Sequence, residues 1–138
     1  MVKILFITLL LPNLVFGKMT IPNNLGDICT SNDKDFIEYR YKENVPVCER
    51  NVSTTTKDKI CKRDGVLDRT NYLVNHVVSL FAGGSNSEKN LYCQPKNRNT
   101  ADKEYILYQK LKRNEMTIEE VRLQLKEIND KLIKELNS

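Results

Sequence analysis

The sequence predicts an α+β domain, a strand hairpin combined with helices and stapled by disulfides. Three observations carry that prediction. "YLVNHVVSL" alternates side chains between two faces, then runs through "AGGSNSEK" to the return segment "NLYCQ", the pattern of a β-hairpin. From about Thr100 the apolar residues recur at helical spacing. Four cysteines, an even number, are distributed through a short chain. A length of 138 residues with 40% hydrophobic content furnishes one modest core.

Residues 1–17, MVKILFITLLLPNLVFG, read as a secretory signal peptide: one Lys, an apolar run, and small residues spaced for cleavage at Val15 and Gly17. Pro12 and Asn13 interrupt the run, so it is too short to span a bilayer, and no later stretch approaches a membrane helix in length. The mature chain is expected to begin near Lys18, soluble and membrane-free, secreted or periplasmic. Residues 18–50, with Pro22, Asn23, Asn24 and Gly26 and no sustained period, are expected to be an irregular segment held by a disulfide, with Phe36, Tyr39 and Tyr41 packed back on the core.

Residues 51–116 carry the expected core. Ser53 is placed to cap the helix "TTTKDKICKR", and Gly65 supplies its left-handed stop. In the hairpin, Tyr72, Val74, His76, Val78 and Leu80 share one face, and Leu73, Asn75 and Val77 the other. A helix through Tyr105, Leu107, Tyr108 and Leu111 ends at Lys112 to Arg113. Residues 117–138 form a final amphipathic helix, opened by a Thr117/Glu120 capping box. Its stripe of Ile118, Val121, Leu125, Ile128, Leu132 and Leu136 needs a partner surface. Packing on the domain's own hairpin gives a monomer; the alternative is a dimeric coiled coil.

Export favours oxidation of Cys29, Cys48, Cys61 and Cys93 to two disulfides. A four-thiolate zinc site is the alternative, and no C-x-x-C pair is present to grip an ion. Four cysteines allow three pairings, and spacing does not choose among them. The preferred set is Cys29 with Cys48 and Cys61 with Cys93, one bridge local and one tying a helix to the hairpin.

The formal charge is +4, and removing the leader takes away Lys3. From Lys57 to Lys103, nine Lys or Arg face five Asp or Glu, so the basic excess surrounds the hairpin; such a surface attracts a polyanion, but on charge alone an excess this mild is read as serving solubility. There is no G-x-x-x-x-G-K phosphate loop and no G-x-S-x-G elbow, and a single histidine excludes the H-E-x-x-H zinc pair. What remains for chemistry is His76 among carboxamides and cations. Imidazole titrates near neutrality and can accept a proton without carrying permanent charge.

"YLVNHVVSLFAGGSNSEKNLYCQ", followed by "NTADKEYILYQKLKRNEMTIEEV", resembles the HNH (His-Me finger) endonuclease superfamily. The similarity is to secreted members reading Y-x-V-D-H-x-x-P-L-x-x-G-G-S-N-x-x-x-N-L-W, then N-A-H-x-K-D, then a helix opened by G-x-[IL]-[ST]-x-E-E. It covers approximately residues 27–121. The resemblance implies a ββα-metal fold, a hairpin and helix clasping one divalent cation over a scissile phosphate, and hydrolysis of DNA or RNA. His76 matches the general base and Asn90 the asparagine that ties the loop and orients that base. Asn75 and Asn99 are the expected ligands for Mg2+ or another divalent cation, weakly bound. Lys89, Lys96, Arg98 and Lys103 are the expected phosphate contacts. Two positions depart from the pattern: Asn75 stands where the family has Asp, and Ala101 where it has His. The alternative is an inactive member that keeps the fold and binds nucleic acid or protein.

Overall fold

Two hairpins and three α-helices make up residues 18–138, the part of the chain that the computed structural model describes. The signal peptide expected over residues 1–17 lies outside the described residues. The architecture is α+β with two separate two-stranded antiparallel sheets. No helix among the described residues is long and apolar enough to cross a membrane.

The first helix, α1 (Thr54–Arg63), has the ends its sequence demands. The Ser53 hydroxyl accepts from the Thr56 N–H, satisfying an otherwise orphaned donor. Gly65 follows in the left-handed region at φ 91°, where glycine carries no Cβ penalty. Residues 18–50, expected to be irregular, instead contain the hairpin β1 (Phe36–Arg40) and β2 (Val45–Cys48). Its signal is weak in sequence for two reasons. The β1 side chains are mostly exposed, so no apolar alternation marks it, and Tyr41 and Asn44, not glycine, adopt positive φ in the turn. Of the three aromatics expected to pack inward, Tyr41 does so and donates to the Phe81 carbonyl at 2.5 Å. Tyr39 is exposed and rests edge-on against Phe36.

The second hairpin pairs β3 (Tyr72–His76) with β4 (Leu91–Pro95), His76 opposite Leu91 and Asn75 opposite Tyr92. The first arm, expected to continue to Leu80, ends at His76. Beyond it the Val78 N–H bonds to the Asn90 side chain rather than to a strand, and Leu80–Ala82 coil into a 3-10 turn. After β4 come α2 (Ala101–Lys112) and α3 (Ile118–Leu136). Thr117 caps α3 by accepting from the Glu120 N–H. The apolar stripe of α3 is covered from within the chain. Val121 and Leu125 pack with Leu107, Leu111 and Val78, while Leu132 packs with Val77 and Tyr92.

Both disulfides of the preferred pairing are formed, Cys29–Cys48 and Cys61–Cys93. The second ties α1 to β4. Two adjacent glycines then let the turn close, for different reasons. Gly83 takes φ 80°, whereas Gly84 lies so near the preceding chain that a Cβ would stand 1.7 Å from the Val78 carbonyl oxygen. The Val78 backbone and the Asn90 amide bonded to it cannot readily give way, so Gly84→Ala is expected to destabilise the fold to urea by more than a typical core substitution, on the order of 3 kcal/mol or above. Gly65→Ala, whose Cβ would meet only Thr20 at an ordinary contact distance of 3.5 Å and so has chiefly backbone strain to bear, should cost about 1 kcal/mol.

Candidate active site

At the loop end of the second hairpin, β3 delivers Asn75 and His76 into a cleft whose opposite wall is α2. His76 lines a cavity of about 430 Å³ together with Arg40, Arg50, Asn75, Glu104 and Tyr105. A second hollow of about 460 Å³ shares Arg50, Asn75, Ala101 and Glu104 with it, so the two adjoin and together are termed the groove. Ala101, Glu104, Tyr105 and Tyr108 fall on a single face of α2 by helical periodicity, and all four line the cavity around His76.

The imidazole is 3% exposed yet borders this space. Its Nε2 lies 3.1 Å from Asn86 Oδ1. Asn86 is fixed in turn, because its Nδ2 donates to Asp35 Oδ2 at 3.0 Å and to the Glu49 carbonyl at 2.7 Å. With both amide hydrogens engaged, Asn86 meets the ring as an acceptor. Nε2 therefore carries the proton and Nδ1 keeps its lone pair, the tautomer a general base requires. Asn51 donates to the other Asp35 oxygen at 2.8 Å, and the bonds from Asn51 and Asn86 hold the Asp35 carboxyl below its ordinary range. Burial lowers the His76 pKa to about 4, the Asn86 contact opposing and the Arg50 charge reinforcing the shift. At neutral pH the ring is uncharged.

Glu104 is the carboxylate of the cleft. Ser79 donates to its Oε1 at 3.2 Å. Desolvation raises its pKa, while Ser79, Asn75 and the Arg50 guanidinium oppose that rise. Asn75 is positioned from behind. Its Nδ2 lies 3.2 Å from Asn129 Oδ1 and 3.4 Å from Thr100 Oγ1. Asn129, in the middle of the apolar stripe of α3, is wholly buried; it donates to the Val77 and Leu125 carbonyls and accepts from the Tyr92 hydroxyl at 2.6 Å. A polar residue among Leu and Ile thus anchors the strand that carries the site.

Asn90 is wholly buried, and all its contacts are to backbone. Its Oδ1 accepts from the Asp27 and Val78 N–H groups, and its Nδ2 donates to the Val78 and Ser85 carbonyls. Asn99 does not join Asn75 around His76. Its Oδ1 accepts from the Ala101 N–H at 2.8 Å, just ahead of the Thr100 N-cap of α2, and it lines the second hollow and a recess against α3 but not the cavity around His76. The four expected cations are likewise dispersed. Lys96 lines the second hollow. Arg98 pairs with Glu135 and, with Lys103, borders the recess against α3; Lys89 lies on the 3-10 turn before β4.

The groove instead holds Arg50 and Lys57, neither of which has an ion-pair partner among the described residues, and Arg69, which pairs with Asp58. Glu104 was legible in principle, since it stands one turn beyond Ala101 on the same helical face. Asp35 and Glu49 carry no sequence signal for this role. They reach the site through the β1–β2 hairpin.

The oxygen donors of the groove are the Glu104 carboxylate and the Asn75 carboxamide. That set suits a hard cation that retains several waters, as Mg2+ does. A closed site is not built: among the described residues the only gathering of three His, Cys, Asp or Glu ligands is Cys29, Asp33 and Cys48. Its two sulfurs are bonded to each other and so offer no thiolate. Comparison with protein families, with curated proteins and with solved structures found no match.

Neutral burial of His76 predicts a defined loss of stability in acid. The unfolded chain binds a proton on this ring near 6.5 and the folded chain only near 4. Stability from this group is therefore full above pH 6.5 and declines as pH falls toward 4, by up to about 3 kcal/mol. Urea unfolding at pH 7.5 and 4.5 should show that decline in the native protein, and His76→Gln, which cannot titrate, should remove it.

Proposed function

We propose that this protein is an exported, divalent-metal-dependent endonuclease of the His-Me finger type that hydrolyses phosphodiester bonds in DNA or RNA. The observation that carries the reading is the convergence on one cavity of a neutral His76, its Nδ1 unoccupied, with the Glu104 carboxylate and the Arg50 guanidinium. The chain order supports it as well: β3 bearing His76, the glycine turn, β4, then α2 is the order of a ββα-metal element. Ala101, at the position of the family histidine, lines the cavity with Glu104 one turn further along. That carboxylate takes over the ligand role in this reading, and Asn75 contributes its carboxamide oxygen. Two disulfides accord with an oxidising compartment.

In the reaction, His76 Nδ1 accepts the proton of a water whose oxygen attacks phosphorus as the bond to the leaving oxygen breaks. Asn86, held by Asp35 and Glu49, keeps the ring in the accepting tautomer. Glu104 and Asn75 would hold the cation, which when bound stabilises the charge that builds on the phosphate and leaving oxygen. Arg50 adds a fixed positive charge on the same side. The phosphodiester anion in turn offsets the desolvation of His76 and raises its basicity toward neutrality.

Incubation of the mature protein with plasmid DNA and with RNA tests this. Cleavage is expected with Mg2+ or Mn2+, to stop with EDTA, and to fall about 100-fold or more in His76→Ala. Glu104→Gln should raise the Mg2+ concentration for half-maximal cleavage at least ~10-fold. A folded protein that binds nucleic acid but does not cleave it with either metal would be the inactive alternative.

A further inference from the structure

Cations run the length of the groove, from Arg40 and Arg50 beside His76 to the second hollow, while three of its four aromatic rings gather at the His76 end and Tyr72 stands in the second hollow. Arg50, Lys57, Arg69 and Lys96 line the second hollow, whereas Phe81, Tyr105 and Tyr108 line the cavity that holds His76. Tyr105 is 59% exposed although it lies beside the buried imidazole. Its ring is 6.3 Å from that of Tyr108, tilted by 37°, and Tyr108 is braced edge-on by Phe81 at 5.3 Å. Lys112 sits over Tyr108, 5.5 Å from the ring centre. These rings are therefore held in place by their neighbours while Tyr105 keeps its surface open.

An exposed, braced ring next to a channel lined by cations is of little use to a duplex, whose bases are already stacked on one another and turned inward. An unpaired base has a free π face, and stacking it on an aromatic side chain is worth about 1–3 kcal/mol regardless of base identity. We propose that the groove binds single-stranded nucleic acid, with the backbone running past Arg50 and Lys57 and a base flanking the scissile phosphate stacked on Tyr105. The position of that phosphate rests on the catalytic reading above; the strand preference rests on the rings and cations alone.

Fluorescence anisotropy with a short labelled oligonucleotide and its duplex separates the two ideas. It uses His76→Ala to prevent turnover and, against a folding defect in that variant, the native protein in EDTA. The single strand is expected to bind at least ~10-fold more tightly than the duplex. Tyr105→Ala should weaken single-strand binding by roughly 5- to 150-fold and leave duplex binding unchanged, while Arg50→Ala should weaken both and flatten the salt dependence. Equal affinities, tighter duplex binding, or a Tyr105→Ala variant that binds like its parent would overturn the proposal. Metal-dependent plasmid cleavage with no strand preference in binding would sink this inference and leave the nuclease reading standing. Tight, Tyr105-dependent single-strand binding without any cleavage would do the reverse.

Discussion

The site depends on how Asn90 closes the segment between the strands of the second hairpin. A carboxamide has two donors and an acceptor oxygen with two lone pairs, and here both ends bond only to backbone, across residues 27, 78 and 85. In a fully buried position each such bond is strong because no water competes for it. An aspartate would set negative charge against two carbonyls, and a leucine would leave two N–H groups and two carbonyls unanswered. The chain is thereby turned away from the sheet just beyond His76, and the imidazole lies at a strand end beside open space rather than in mid-sheet.

Around that clamp the protein relies on neutral amides, and at Asn75 an amide stands where an enzyme of this proposed kind has an acid. Asn75, Asn86, Asn90 and Asn129 each occupy a buried or half-buried position and orient a neighbour through directional bonds without adding charge. Burying a carboxylate carries a desolvation cost that an amide largely avoids. The result is a groove in which Glu104 is the one carboxylate beside His76, balanced by Arg50. The mild basic excess of the central sequence is reflected locally, in Lys57, Arg69 and Lys96 along the adjoining hollow.

Elements marked by local chemistry were legible in the sequence. Ser53 and Gly65 delimit α1, Thr117 opens α3, and the Gly-Gly segment separates β3 from β4, because caps and turns are decided by a few neighbouring residues. The β1–β2 hairpin was not legible, since the mostly exposed β1 shows no apolar alternation, its turn uses Tyr41 and Asn44 rather than glycine, and the bond that seats it, from the Tyr41 hydroxyl to Phe81, is remote in sequence. Within the site, Asn75 and His76 are adjacent in the chain and were found together. Asp35, Glu49 and Arg50 come from that remote hairpin, and no period or spacing relates them to His76. Asn99 illustrates the opposite failure: its distance from Asn90 suggested a ligand, but an Asn just before a helix has a competing local use, accepting the backbone N–H of Ala101.

The fastening of the β1–β2 hairpin has a consequence for access. The Cys29–Cys48 bridge secures its base. Its turn is tied down twice, by the Tyr41 hydroxyl on Phe81 and by the Glu43 carboxylate accepting from the Ile118 N–H at the start of α3. A wall pinned at both ends has no hinge on which to swing, so this flank of the groove is not a lid. A strand bound as proposed would enter and leave the groove without waiting for this flank to open or close.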